Sequence, residues 1–160
     1  MQLQNQRQAF SMFVAIAVII IMATIGVLIM SISGKMVRET TAQYQREQAA
    51  LLAKSYTEYA IMAVMANDRK TSNCLEDIDA TIGTPNSGNG YKIETRIAYI
   101  GTATEVGTCA ATRVFDNTVS NPETPLSIIV DVYVKYKEPD HPAAAAAPFI
   151  TYHKRTLQKI

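Results

Sequence analysis

The sequence predicts an α+β chain. One long N-terminal helix, its first half transmembrane, packs through its second half on a small antiparallel sheet. Three observations carry this. Residues Ala9 to Ser33 hold no charge over 25 consecutive positions, although the chain as a whole is 18% charged. A helical signal continues from Met36 to Met65. Beyond it, turn clusters separate runs that alternate with period two, the pattern of strands with one buried face.

The apolar run Phe10–Ile32 has 23 residues. At about 1.5 Å per residue it spans on the order of 35 Å, enough to cross a hydrocarbon core of about 30 Å. Only a helix satisfies its backbone there. A secretory signal peptide has a shorter apolar region of about 7–15 residues and ends at a small-residue cleavage site. This run is longer and passes directly into polar helical sequence, so it reads as an anchor that is kept. Ser31, Ser33 and Gly34 interrupt it near the membrane edge. Either a kink or local melting is expected there, or a simple interfacial position on a continuous helix.

In the second half of the helix, Tyr44, Leu51, Ser55, Tyr59, Met62 and Ala66 fall within about 80° on a helical wheel, with Leu52 and Ala63 alongside. Glu47, Lys54 and Glu58 occupy another sector. The expectation is that the Tyr/Leu/Met stripe packs on the sheet. Residues 67–73, Asn-Asp-Arg-Lys-Thr-Ser-Asn, stop the helix. Leu75 to Ile82 is read as a short helical turn, and residues 84–90, Thr-Pro-Asn-Ser-Gly-Asn-Gly, as a dense turn.

Three strands are predicted. Tyr91–Ile100 places Ile93, Thr95, Ile97 and Tyr99 on one face and Lys92, Glu94 and Arg96 on the other. Ser127–Lys137 places Ile128, Val130, Val132, Val134 and Tyr136 opposite Ile129, Asp131, Tyr133 and Lys135. Phe149–Leu157 is the third, and Cys109–Phe115 is a weaker fourth. Residues 138–148 contain three prolines and five alanines. The prolines prevent central pairing and five alanines are too few for an isolated helix, so a long exposed hairpin loop is expected.

Composition narrows the function classes. The chain has 160 residues, which suggests one domain, and its 48% hydrophobic content is concentrated in the apolar block. This argues against an ordinary soluble globule, a disordered chain and a multi-span channel. Lys and Arg number 15 against 14 Asp and Glu, and Arg7 is the only charge before the apolar block, so the remainder is balanced. A neutral domain has no general attraction for nucleic acid or anionic lipid. His153, Lys154, Arg155 and Lys159 make the C-terminus basic, but on a neutral domain they are too few to predict a nucleic-acid partner.

No catalytic or metal-ligating set is found. His141 and His153 have no His-x-x-His or His-Glu-x-x-His spacing, and Cys74 and Cys109 lack a close Cys or His companion. Glu76, Asp77 and Asp79 lack the ligand spacing of a calcium loop and are read as a solvated turn. There is no nucleophile elbow, phosphate loop or dinucleotide fingerprint. The expectation is a protein that is not an enzyme and carries no cofactor or metal.

The N-terminal pattern resembles a known family. A short polar leader, residues 1–9, contains one basic residue and runs directly into the apolar helix beginning Ala9-Phe10-Ser11-Met12. This resembles the prepilin leader of type IV pilins and type II secretion pseudopilins, and the pilin-like layout of long helix, strand-rich domain and late cysteine pair matches as well. The resemblance implies that a prepilin peptidase cuts between Ala9 and Phe10 and methylates the new N-terminus. It divides the chain into a leader (1–9), the transmembrane half of the helix (10–33), the amphipathic half (34–66) and a globular domain (67–160).

The same resemblance implies a structural role. Phe10, Met12, Val14, Ile16 and Ile20 would lie on the filament-packing helix. The partners would be other pilin or pseudopilin subunits, an assembly platform protein, an assembly ATPase and the membrane itself. The chain would wait in the bacterial inner membrane, single pass, with its C-terminal domain periplasmic, and then enter a pilus or pseudopilus filament. Three departures qualify the match. Ala9 stands where the family usually has Gly, Val14 is the fifth residue of the implied mature chain, where major pilins usually carry Glu, and the family's helix-breaking Pro is absent from the apolar run. The missing Glu favours a minor pilin or a pseudopilin.

Lys35, Arg38 and Arg46 outnumber Arg7, so charge counting alone would place the C-terminal part in the cytoplasm. The two cysteines and the implied export favour the opposite side. In an exported domain Cys74 and Cys109, which enclose 34 residues, are expected to form a disulfide worth about 3–4 kcal/mol by loop closure. Two other readings stay open. One is a single-span, signal-anchored periplasmic binding or scaffold protein that keeps Met1. The other is a membrane-tethered enzyme, which requires a formed pocket with perturbed titratable groups.

Overall fold

The computed structural model describes residues 2–69, 73–119, 126–138 and 146–160, with side chains from residue 12 onward. Its contacts divide the chain into two units, Met1–Gln43 and Tyr44–Ile160. One helix, α1 (Gln2–Ala66), enters both.

The first unit is helical throughout its described residues. It contains an apolar stretch long and apolar enough to cross a membrane, none of it buried within the protein. Phe13 is 78% exposed and Met30 81%. A run of bare Ile, Val, Met and Phe far exceeds the apolar patch that a water-soluble surface carries, so this helix requires lipid or other apolar helices around it. The Thr24 hydroxyl donates to the Ile21 carbonyl at 2.8 Å, which satisfies it without water. The helix is unbroken through Ser31, Ser33 and Gly34, so it does not melt there.

The second unit combines the end of α1 with a sheet. Its strands are β1 (Asp77–Thr84), β2 (Asn89–Gly101), β3 (Val114–Asp116), β4 (Leu126–Tyr136) and β5 (Ile150–Lys159). The order β1-β2-β4-β5 is antiparallel throughout, and β3 runs parallel to β2. Beyond the end of β1, β3 takes over the same flank of β2, at Tyr99 and Ile100.

Strands β2, β4 and β5 lie where the sequence predicts, and β2 and β4 bury the predicted faces. Ile93, Thr95, Ile97 and Tyr99 of β2 and Ile128, Val130, Val132, Val134 and Tyr136 of β4 are buried. The expected strand from Cys109 is shorter than anticipated, because Ala111–Arg113 closes a 3₁₀ turn, with the Arg113 amide on the Ala110 carbonyl at 2.8 Å. Of the loop between β4 and β5, residues 139–145, His141 included, lie outside the described residues.

Two expectations are corrected. Leu75–Ile82 is not helical: Asp77–Thr84 forms strand β1, paired to β2 from Asp77↔Arg96 to Thr84↔Asn89. Ile78, Ala80 and Ile82 alternate with Asp77, Asp79 and Thr81, and β2 stabilises that alternation by pairing its backbone and offering Arg96 to both aspartates. The turn joining β1 and β2 is a 3₁₀ step over Pro85–Ser87 that exits through Gly88 at φ 88°. Just inside it Gly83 adopts φ 67° opposite Gly90, and a Cβ there would run into the Asn89 carbonyl.

The second correction concerns which face of α1 meets the sheet. Ala49, Ala53, Thr57, Ala60 and Val64 are buried and join the core cluster with β2 and β4. Tyr44 (63% exposed), Leu51 (59%), Tyr59 and Met62 point away. On a wheel the two stripes lie about 160° apart. The physical reason is volume. The sheet face is already filled by Ile, Val and Tyr, so small side chains on the helix complete the core, and a stripe of Tyr, Leu and Met would overfill it. Ile61 and Leu52 pack at the rim of this core.

The helix ends where predicted. The Asn67 amide returns to Ala63 and Val64, the Asn67 side chain holds the Asn73 carbonyl at 3.0 Å, and Arg69 donates to the Val64 carbonyl at 3.0 Å. These contacts satisfy carbonyls that the last turn leaves without partners.

Two substitutions test this core. Ala53→Leu overfills the helix–sheet contact and is expected to lower stability by about 1–3 kcal/mol. Thr95→Val removes a fully buried hydroxyl that has no hydrogen-bond partner and is expected to leave stability unchanged or raise it. Urea unfolding followed by circular dichroism reads both.

Candidate functional site

The sequence-predicted residues fall in three places. Met12, Val14, Ile16 and Ile20 lie on α1 in the first unit, all exposed. Ala9 and Phe10 also lie in α1, but their side chains are outside the described residues. Cys74 and Cys109 are joined, with Cα atoms 4.8 Å apart.

The disulfide closes a compact knot behind the end of α1. Thr108 donates to the Arg69 carbonyl at 2.5 Å, Arg69 lies 3.7 Å from Glu105, and the Ala110 amide donates to Glu76 at 3.0 Å. The Tyr99 hydroxyl, whose ring is fully buried, donates to the Leu75 carbonyl at 2.5 Å, and burial pushes its pKa up to about 12. The segment after the helix, the start of β1 and the loop after β2 are thereby tied to one core tyrosine. Beside the knot a cleft of about 320 Å³ is lined by Val106, Cys109, Ala111, Val114 and Phe115.

The sheet face opposite α1 carries charge in rows. One row runs Asp77, Arg96, Asp131, Arg155 across β1, β2, β4 and β5. The next runs Asp79, Glu94, Tyr133, His153. Arg96 reaches Asp79 at 2.6 Å and Asp77 at 3.4 Å, and Arg113 also reaches Asp77 at 2.8 Å. Arg155 grips Asp131 with two hydrogen bonds of 2.7 and 2.8 Å. His153 adds a third contact to Asp131 at 2.8 Å and stacks on Tyr133 with ring centroids 4.4 Å apart. Glu94 lies between Lys135 (2.8 Å) and Lys92 (2.9 Å).

These pairings fix the protonation of the face. Hydrogen bonds from Lys135 and then Lys92 hold the Glu94 carboxyl down to about 2. The Arg155 hydrogen bonds, then His153, hold Asp131 below its usual range against the opposing effect of burial. Carboxylates held in this way are weak bases, suited to cross-strand attraction and poorly suited to proton transfer near neutral pH. The acidic trio read as a solvated turn is instead paired: Glu76 to an amide, Asp77 and Asp79 to arginines. Sequence reasoning placed Asp131, Tyr133 and Lys135 on one face but missed their partners, because register, not spacing, brings His153 and Arg155 to Asp131.

On the α1 side, a groove of about 420 Å³ runs between α1 and β1, lined by Ser55, Tyr56, Tyr59, Ile78, Asp79 and Ala80. It opens along the flank of β1 that pairs with no strand among the described residues. Among the described residues no group of three or more His, Cys, Asp and Glu is arranged to hold a metal ion. Comparison of the chain with family models, curated proteins and solved structures finds no match.

Acid should weaken the charged face in a defined window. A carboxylate held down in the folded state contributes stability above its unfolded pKa, near 4.5 for Glu94, and loses it as pH falls toward about 2. Urea midpoints should therefore hold from pH 7 to 5 and fall progressively below 4.5. Glu94→Gln should lower the neutral-pH midpoint and flatten that acid limb. Reduction of the Cys74–Cys109 bond should cost about 2–5 kcal/mol in the same assay.

Proposed function

We propose that this chain is a structural subunit of a type IV pilus-like or type II secretion pseudopilus filament, anchored in the inner membrane by α1 before assembly. The observation that carries the reading is the division of labour along α1. Its first part is an uncharged, fully exposed apolar helix. Its second part meets a disulfide-braced antiparallel sheet through small residues and leaves Tyr44, Leu51, Tyr59 and Met62 uncovered. A helix built in this way is satisfied first by lipid and then by neighbouring helices.

Residues Met12, Val14, Ile16 and Ile20 would make the helix–helix contacts, and prepilin peptidase would release Phe10 as the mature N-terminus. Val14 cannot supply a carboxylate to pair with a neighbour's terminal amine, which favours a minor subunit or a pseudopilin. The domain would be periplasmic, where its disulfide forms. An assembly ATPase and a platform protein would drive assembly, and the chain itself would catalyse no reaction.

A second reading is a single-span periplasmic scaffold protein. It shares the anchor and the disulfide but keeps Met1. Mass spectrometry of the N-terminus, in cells with an active prepilin peptidase, separates the two. The expected result is a chain that starts at an N-methylated Phe10. An intact Met1 in those cells would sink the filament reading.

A further inference from the structure

We infer that the two edges of the sheet are complementary, and that β5 of one copy pairs antiparallel with β1 of a second copy, continuing the sheet from chain to chain. The inference goes beyond the helix-based reading, since it concerns the sheet edges alone.

Both edges are open. Among the described residues β5 pairs only with β4, and β1 only with β2, each in unbroken register. Neither contains a proline or a bulge, two common devices that stop an edge from recruiting another strand. The outer-face rows end in unlike groups: Asp77 and Asp79 at the β1 edge, Arg155 and His153 at the β5 edge.

One register satisfies every position at once. Extending the rows past β5 sets Arg155 opposite Asp77 of the second copy and His153 opposite its Asp79. The same alignment sets Thr151 opposite Thr81 and Ile150 opposite Ile82. Ile150 and Ile82 are 43% and 41% exposed in the single chain, and pairing them covers both. The direction is also right. Antiparallel order alternates across β1-β2-β4-β5, so the next strand must run as β1 does.

The groove gives an independent reason. In this alignment Tyr152 and Lys154 of the incoming strand stand opposite Ala80 and Ile78 on the α1 side of the sheet. Ala80 and Ile78 line the open groove, together with Tyr56, Tyr59 and Asp79. The groove offers aromatic surface for the Tyr152 ring. Lys154 is a charge on the core side of an edge strand, a feature that guards against pairing in other registers. The contact is head to tail, so it propagates rather than closing a dimer.

The test uses the full chain in proteoliposomes. Thr81→Cys and Thr151→Cys are made as separate variants. Both sites are exposed, and the native cysteines are already bonded to each other. The two variants are co-reconstituted and mildly oxidised. The expected result is a disulfide-linked dimer at several-fold the level formed when Thr81→Cys is mixed with Leu157→Cys. Leu157 is on the same strand and is exposed, but lies six residues out of register. Circular dichroism confirms that each variant is folded. Absence of the dimer, or equal yields in the two mixtures, would overturn the proposal.

Discussion

The packing of small α1 side chains on the sheet is the contact on which the rest of the second unit depends. It is made by Ala49, Ala53, Thr57, Ala60 and Val64 against the inward faces of β2 and β4. Because the sheet supplies the bulk, the helix must supply small residues. That requirement decides where every large apolar side chain of this segment goes. Tyr44, Leu51, Tyr59 and Met62 are turned outward, and a stripe left in this way asks for a further partner. The knot of Arg69, Thr108, Tyr99 and the disulfide then fixes how the chain leaves the helix and enters β1.

The outer sheet face obeys a different rule. Its charges are not arranged around a cleft but laid out in rows across strands, each carboxylate beside at least one cation. Exposed pairs of this kind contribute little one at a time. Their larger effect is on register, since a slip of one residue would turn Asp131 into the core and lift Val130 or Val132 out of it. The face therefore specifies how strands align within the chain and supplies unlike ends at its two edges.

Much of this was legible in the sequence. The membrane-length helix followed from 25 uncharged residues, and β2 and β4 followed from alternation that is clean because one face of each is buried, whereas β5 alternates with no residue fully buried. The helix stop at Asn67 followed from its polar run. What failed, failed for identifiable reasons. The wheel found the more hydrophobic stripe of α1, but packing selected the smaller one, and hydrophobicity does not report the volume available on the opposing sheet. Asp77 and Asp79 suggested a turn because isolated aspartates disfavour strands; Arg96 and Arg113, distant in sequence, reverse that preference. The Asp131, His153 and Arg155 cluster required the register of β4 with β5, which no local pattern supplies.

Under the proposed function the chain would be a subunit whose surfaces are finished by neighbours: lipid or helices around the apolar helix, and a partner over the outward stripe of α1. The most direct test places a cysteine at Leu51, in the middle of that stripe, in cells with the complete assembly system. Maleimide labelling is then compared between the membrane pool and sheared filaments. The account predicts ready labelling in the membrane pool and strong protection in filaments, with Ala53→Cys protected in both. Absence of the chain from the sheared fraction, or equal labelling of Leu51→Cys in both fractions, would contradict it.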